Sequence, residues 1–183
     1  GTWEKISGRA LNESTIGVIG VGATGSGVLR RARAFGARLL GTDIRTLQPG
    51  HVAALGVDMV SLEELLADAD FVSVNCDLNP TSDHLMNDGR FAAMKNTAYF
   101  INCARGPVVD EPALIRALES GAIAGAGLDV FAHEPLPADS PFRGMGNVLL
   151  APHNSNSSAK AWQRVHESTL EQMFRALAEA VDA

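Results

Sequence analysis

The stretch that decides the fold is Thr15-Ile-Gly-Val-Ile-Gly-Val-Gly-Ala-Thr-Gly-Ser-Gly27, then Val28-Leu-Arg-Arg-Ala-Arg-Ala-Phe-Gly36, then Ala37-Arg-Leu-Leu-Gly-Thr-Asp43. Ile16, Val18, Ile19 and Val21 form a short β-branched run of the kind a buried parallel strand requires. Gly20, Gly22 and Gly25 follow it as a G-x-G-x-x-G turn. Gly20 permits the tight turn, Gly22 lets a pyrophosphate approach the backbone, and Gly25 lets the next helix pack against the strand. The N-terminus of that helix points free N–H groups at an anion. A second strand, Arg38 to Thr42, ends at Asp43, near the spacing expected of an acid that binds ribose hydroxyls. Strand, turn, helix, strand and terminal acid in one order imply a dinucleotide site. Asp43 favours NAD over NADP because a carboxylate repels a 2′-phosphate, while Arg45 pulls slightly the other way because a guanidinium can pair with one.

A chain of 183 residues with 46% hydrophobic content can bury one sizeable core, and its length fits one domain better than two. The formal charge of −6 and the pI near 5.3 argue against nucleic acid as a partner. Arg30, Arg31 and Arg33 read as a solvated helix face. Cys76 and Cys103 are the only cysteines and form no C-x-x-C, which fits reduced thiols in the cytoplasm. No apolar run is long enough to span a bilayer and no signal-peptide pattern opens the chain, so no membrane partner is expected. The start at Gly1 rather than methionine fits an engineered piece or a fragment better than a complete gene product.

Residues 1–14 read as a lead-in ending in a turn at Leu11–Ser14. After Asp43, the pattern predicts a short helix over His51–Leu55, a weak strand over Val57–Val60, and a helix capped by Ser61 with Glu63 and Glu64 in its first turn. Phe71–Val74 reads as the fourth strand, a helix from Asn87 or Asp88 runs through Met94, and Thr97–Ile101 is the fifth strand. Glu111–Ser120 is helical and stopped by Gly121, Ile123–Leu128 is a sixth strand, and Val148–Ala151 a seventh after the stiff loop of Pro135, Pro137 and Pro141. A long helix spans about Ser158 to Ala180. Strands alternating with helices imply a Rossmann-type α/β fold: a doubly wound parallel sheet with helices on both faces and its ligand at the strands' carboxyl ends. Asp43, Cys76, Cys103, Arg105, Asp129 and His153 all fall just past such ends.

Three further blocks, Asn102-Cys-Ala-Arg-Gly-Pro-Val-Val-Asp-Glu111, Gly127-Leu-Asp-Val-Phe-Ala-His-Glu-Pro-Leu136 and Asn147-Val-Leu-Leu-Ala-Pro-His153, resemble the signatures of the D-isomer-specific 2-hydroxyacid dehydrogenases. Within that family the flavour is that of phosphoglycerate dehydrogenases. The resemblance implies an NAD-dependent enzyme that moves a hydride between the cofactor and a small 2-hydroxy or 2-keto acid. It implies Arg105 as the substrate-binding arginine, Glu134 as the catalytic glutamate and His153 as the acid/base histidine. It further implies backbone contacts to the cofactor at Ala23 and Thr24, Asp43 at the adenosine ribose, Cys76 beside the cofactor, Cys103, Ala104 and Arg105 near the nicotinamide ribose, and Asp129 at the carboxamide.

The chemistry suits these residue types. A guanidinium holds a carboxylate through two parallel charge-assisted hydrogen bonds. Histidine gives and takes a proton near neutral pH, and an adjacent carboxylate favours its protonated form and fixes its ring. His133 reads as exposed loop, and His51, His84 and His166 lack a spacing that suggests metal. The chain departs from the family pattern at Ala23-Thr24, at Asp77 where a proline is usual, and in the polar run Asn154 to Ser158 after His153. In this family the nucleotide domain is inserted into a substrate domain. Residues 1–183 therefore read as a dinucleotide-binding domain, its lead-in and last helix bordering a substrate lobe largely absent from the chain, and as a homodimer through the last helix and the Pro135–Pro141 segment. A second reading of the same fold is an NADH-responsive corepressor-type binding module. A methyltransferase, the third, gives Arg105, Glu134 and His153 no role.

Overall fold

The computed structural model describes Trp3 and residues 8–155 and 157–181. Much of the lead-in, Asn156 of the polar run and the last two residues lie outside the described residues. The chain divides into two compact units, Gly1–Pro152 and His153–Ala183.

The first unit is built on β1 (Thr15–Ile19), which is buried along its whole length. Side chains alternate across a strand, so β1 serves two cores. Ile16 and Val18 join Leu29 and Ala32 of α1 (Ala23–Ala34) in one. Ile19 joins Leu65 and Leu66 of α3 (Leu62–Asp68) in the other. Gly17 faces that second helix so closely that a Cβ would lie 2.6 Å from Leu65 Cδ2. The remaining elements in chain order are β2 (Arg38–Thr42), α2 (Pro49–Leu55), β3 (Asp58–Met59), β4 (Phe71–Val74), α4 (Asp88–Ala92), β5 (Tyr99–Asn102), α5 (Glu111–Glu119), β6 (Gly125–Leu128) and β7 (Val148–Leu150). All seven strands pair in parallel in the order β3-β2-β1-β4-β5-β6-β7. The winding reverses between β1 and β4, and a crevice opens above that point at the strands' carboxyl ends.

Caps hold the helices where the sequence places them. Ser61 accepts from the Glu64 N–H at 3.1 Å, Asn87 from Arg90 at 3.2 Å, and Asp110 from Ala113 at 3.3 Å. The expected boundaries shift at several elements; β6, for one, starts at Gly125 and not Ile123. α2 starts at Pro49 rather than His51, because proline is preorganised for a first turn. β3 is two exposed residues on the sheet edge, where only β2 offers hydrogen bonds. The helix begun at Asn87 ends at Ala92. β5 runs Tyr99–Asn102 because its pairs on β4 are Phe71–Val74. Of the α1 arginines, Arg33 does more than solvate a face: its Nη1 donates to the Ala54 carbonyl of α2 at 2.8 Å.

At the opposite, amino end of the sheet Asp70 is buried among charges. One oxygen accepts from the Thr15 N–H at 2.8 Å, and the other from Arg9 at 2.7 Å and Lys95 at 3.2 Å. Burial pushes its pKa up, but the Thr15 N–H, Lys95 and Arg9 together outweigh that and hold it below the usual carboxylate value. A depressed folded pKa gives stability that is present above the unfolded pKa and lost as pH falls through the folded one. Asp70→Asn is therefore expected to cost about 1.5 to 3 kcal/mol at neutral pH, the range for hydrogen bonds to a charged group. In urea melts from pH 7 down to pH 3, the gap between wild type and variant should narrow once the pH drops below about 4.

In the second unit α6 (Ala159–Val181) begins after Ser158, whose hydroxyl accepts from the Ala161 N–H at 3.1 Å. Trp162, Val165, Leu170, Met173, Phe174 and Leu177 recur at helical spacing, and all are exposed.

Candidate active site

The glycine turn does what its spacing implies. Gly20 has φ +87°, and a Cβ there would lie 2.7 Å from the Cys76 nitrogen. At Gly25 a Cβ would lie 2.0 Å from the Gly20 carbonyl oxygen, so α1 packs onto the turn only because residue 25 is glycine. Gly22 differs: the nearest atom to a Cβ there is Arg45 Nη2 at 3.6 Å. No backbone crowds Gly22, so a pyrophosphate can approach it beside the Arg45 guanidinium, and the first-turn N–H groups of α1 begin at Ala23 next to it.

Above the turn lies a cleft of about 570 Å³ lined by Gly20, Gly22, Ala23, Thr24, Asp43 and Cys76 among others. A second cavity of about 430 Å³ is lined by Cys103, Ala104 and Arg105 and shares Thr24, Asn75, Cys76 and Asp77 with the first. The two form one trough running from Asp43 at the end of β2, across the switch point, to Arg105 beyond β5. Volumes of this size suit a small ligand. A dinucleotide fits the residues present: a glycine cradle with room over it, helix N–H groups, and an acid at the far end of the second strand.

Asp43 is engaged from two sides. Its Oδ2 accepts from the Val21 N–H at 2.9 Å, which ties β2 to the glycine turn. Arg45 donates from its backbone N–H at 2.9 Å and from Nε and Nη2 at 3.0 Å each. That guanidinium holds the Asp43 carboxyl below its ordinary pKa, against the opposing effect of burial. Burial pushes both the Cys76 and Cys103 thiols up, and the Asp129 carboxylate adds to the push on Cys103. Both stay protonated at neutral pH, which disfavours either as a nucleophile.

Two residues that the sequence reading left without a role position the Arg105 loop. Asn102, 1% exposed at the end of β5, accepts from the Ala104 N–H at 3.0 Å and donates to the Arg105 carbonyl at 3.1 Å. Gly106 touches the next loop so closely that a Cβ would lie 2.0 Å from both the carbonyl carbon and oxygen of Phe131. That loop carries Glu134, whose Oε1 accepts from the Phe131 N–H at 2.9 Å, and Glu111 accepts from the Ala132 N–H at 2.6 Å. A polar residue closing a buried strand was the available signal for Asn102. Asp129 is 4% exposed just past β6. His153 opens the second unit with φ +53°, a conformation uncommon for a residue with a side chain.

Fold and trough together define a dinucleotide-binding α/β domain of the doubly wound class. The chain belongs to the D-isomer specific 2-hydroxyacid dehydrogenase family, whose NAD binding domain model matches residues 1–155. It is 43% identical over 161 residues to a glyoxylate reductase of Korarchaeum cryptofilum, covering 87% of this chain and 48% of that protein. It is 41% identical over 169 residues to D-3-phosphoglycerate dehydrogenase of Rattus norvegicus, covering 91% and 31%. The solved D-lactate dehydrogenase with NAD+ from Lactobacillus jensenii superposes with a TM-score of 0.82 at 34% identity, covering 89% of this chain and 52% of that one. The chain spans about half, or less, of the length of these relatives.

Proposed function

We propose that this chain supplies the NAD(H)-binding half of an oxidoreductase acting on a small 2-hydroxy or 2-keto acid. The observation that carries the reading is the single trough with the glycine turn and Asp43 at one end and an arginine at the other. Gly20, Gly22, Ala23, Thr24 and Gly25 hold the pyrophosphate, Asp43 the adenosine ribose, Cys76, Cys103 and Ala104 the middle of the cofactor, and Asp129 the carboxamide. Bound there, the nicotinamide supplies the hydride. Arg105 grips the substrate carboxylate with two parallel hydrogen bonds and so turns the ketone toward the cofactor. His153 gives the carbonyl oxygen its proton, and Glu134 stabilises the protonated imidazole. Relatives that reduce glyoxylate or act on 3-phosphoglycerate or D-lactate leave the acid's side chain open, and the polar run after His153 favours a polar one.

The test is a panel of 2-keto acids of differing size and charge, offered with NADH to the full-length protein and followed by NADH absorbance. Loss of absorbance with at least one member is expected; NADH binding without turnover of any would contradict the reading. The two free thiols fit a reducing, cytoplasmic compartment. Among the described residues no helix is long and apolar enough to cross a membrane, and the family's acid substrates leave no role for nucleic acid. The apolar stripe of α6 supports a homodimer, for which sedimentation should give twice the chain mass at micromolar concentration.

A further inference from the structure

The Asp43 carboxylate, its side chain 4% exposed, has four donors on two oxygens, three of them from Arg45. A carboxylate offers about four lone-pair sites, so the acceptors that a ribose diol needs are already taken. Arg45 lies 63% exposed over the glycine turn and lines the cleft; its Nε and Nη2 are committed to Asp43, and its Nη1 makes no hydrogen bond among the described residues.

Two consequences follow from that geometry. An unphosphorylated adenosine ribose reaches Asp43 only by displacing a bidentate guanidinium, which weakens NADH. A 2′-phosphate meets a neutral Asp43–Arg45 pair and open N–H donors, not a bare carboxylate. Asp77, on the same cleft and within electrostatic reach of Arg45, leaves some negative charge nearby and works against outright preference for the phosphate.

We propose that Arg45 is the specificity-determining residue of this ribose site and that the chain accepts NADPH as well as NADH. The inference rests on reading the trough as the cofactor site. Calorimetric titration of NADH and NADPH into the wild type, Arg45→Gln and Arg45→Lys tests both. In the wild type the two dissociation constants are expected to lie within about thirtyfold, since the guanidinium offsets the carboxylate. Arg45→Gln should raise the NADPH-to-NADH ratio at least about fivefold, by loosening NADPH and keeping or tightening NADH. Arg45→Lys, which keeps the charge without the fork, should raise it less. A wider wild-type gap, or a smaller change on Arg45→Gln, overturns the proposal while leaving the NADH site intact. If Arg45→Gln loses its fold by circular dichroism, a ratio unchanged in Arg45→Lys overturns it. Failure of the wild type to bind either cofactor instead removes the cofactor reading itself.

Discussion

Gly106→Ala is expected to abolish turnover and to destabilise the protein by about 3 kcal/mol or more, at the upper end of what overpacking costs. The added methyl would sit 2.0 Å from two backbone atoms of Phe131, and backbone cannot move aside as a side chain can. Relief requires the Arg105 loop and the Glu134 loop to part, so the two groups read as substrate anchor and base partner lose their spacing together. Separations of about 1 Å in such geometry can cost a hundredfold in rate. Gly127→Ala in β6 is the matched control, because its Cβ would meet only Ile101 Cγ1 at 3.9 Å. That variant should melt within about 1 kcal/mol of wild type, since a strand glycine replaced without strain gains or loses little. Thermal melts of both, with activity of the full-length protein, decide the matter. A Gly106→Ala protein of wild-type stability and activity would show that the loops are not coupled through this contact.

Arg105→Ala and His153→Ala in the full-length protein are each expected to lower kcat/KM for 2-keto acids by about a hundredfold or more, with NADH affinity changed by less than about fivefold. For Arg105, on its proposed role, a charged fork is lost opposite the substrate carboxylate, and about 2 to 5 kcal/mol attaches to truncating one side of such a pair. Arg105 is exposed at the mouth of the second cavity; its carbonyl is held by Asn102 and the Val108 N–H, bonds that alanine keeps, and its side chain by Nη1 on the Ala104 carbonyl at 2.6 Å, so its truncation leaves the fold intact. For His153, on its proposed acid/base role, the loss is of the proton source, and the fall should appear in kcat more than in KM. Stopped-flow turnover beside NADH titration separates these effects. If either variant lost NADH affinity and turnover in equal measure, the residue would belong to cofactor binding and not to substrate or proton handling.

Much of this was legible in the chain alone. The strands of β1, β2 and β4, the cap at Ser61, the helix start at Asn87 and the glycine turn follow from local chemistry: β-branched runs, side-chain oxygens three residues before a helical N–H, and glycine where no Cβ fits. Parallel pairing followed too, since strands separated by helices have no other sheet to join. The seven-strand order and the switch point between β1 and β4 go beyond that logic, because local patterns do not say which strands are neighbours. Boundaries were less legible at β3 and β5, because a strand ends where its neighbour stops offering partners, and that neighbour is distant in sequence.

What only the tertiary structure decided concerns contacts between segments far apart in the chain. Asp43 was recognisable by its place after β2, but that Arg45 folds back over it and fills its oxygens depends on side-chain geometry above the glycine turn. Asn102 and Gly106 stood inside a recognised block without a role. Asn102 turns its amide inward to hold Ala104 and Arg105, and Gly106 lies against Phe131 across the gap between β5 and β6. Asp70 likewise has no mark in the local sequence; Arg9 and Lys95, each more than twenty positions away, converge on it only in the fold. Sequence specifies which backbone each segment prefers through interactions a few residues long. Which side chains meet is set by the sheet that stacks those segments, and close packing makes single contacts such as Gly106 against Phe131 decisive.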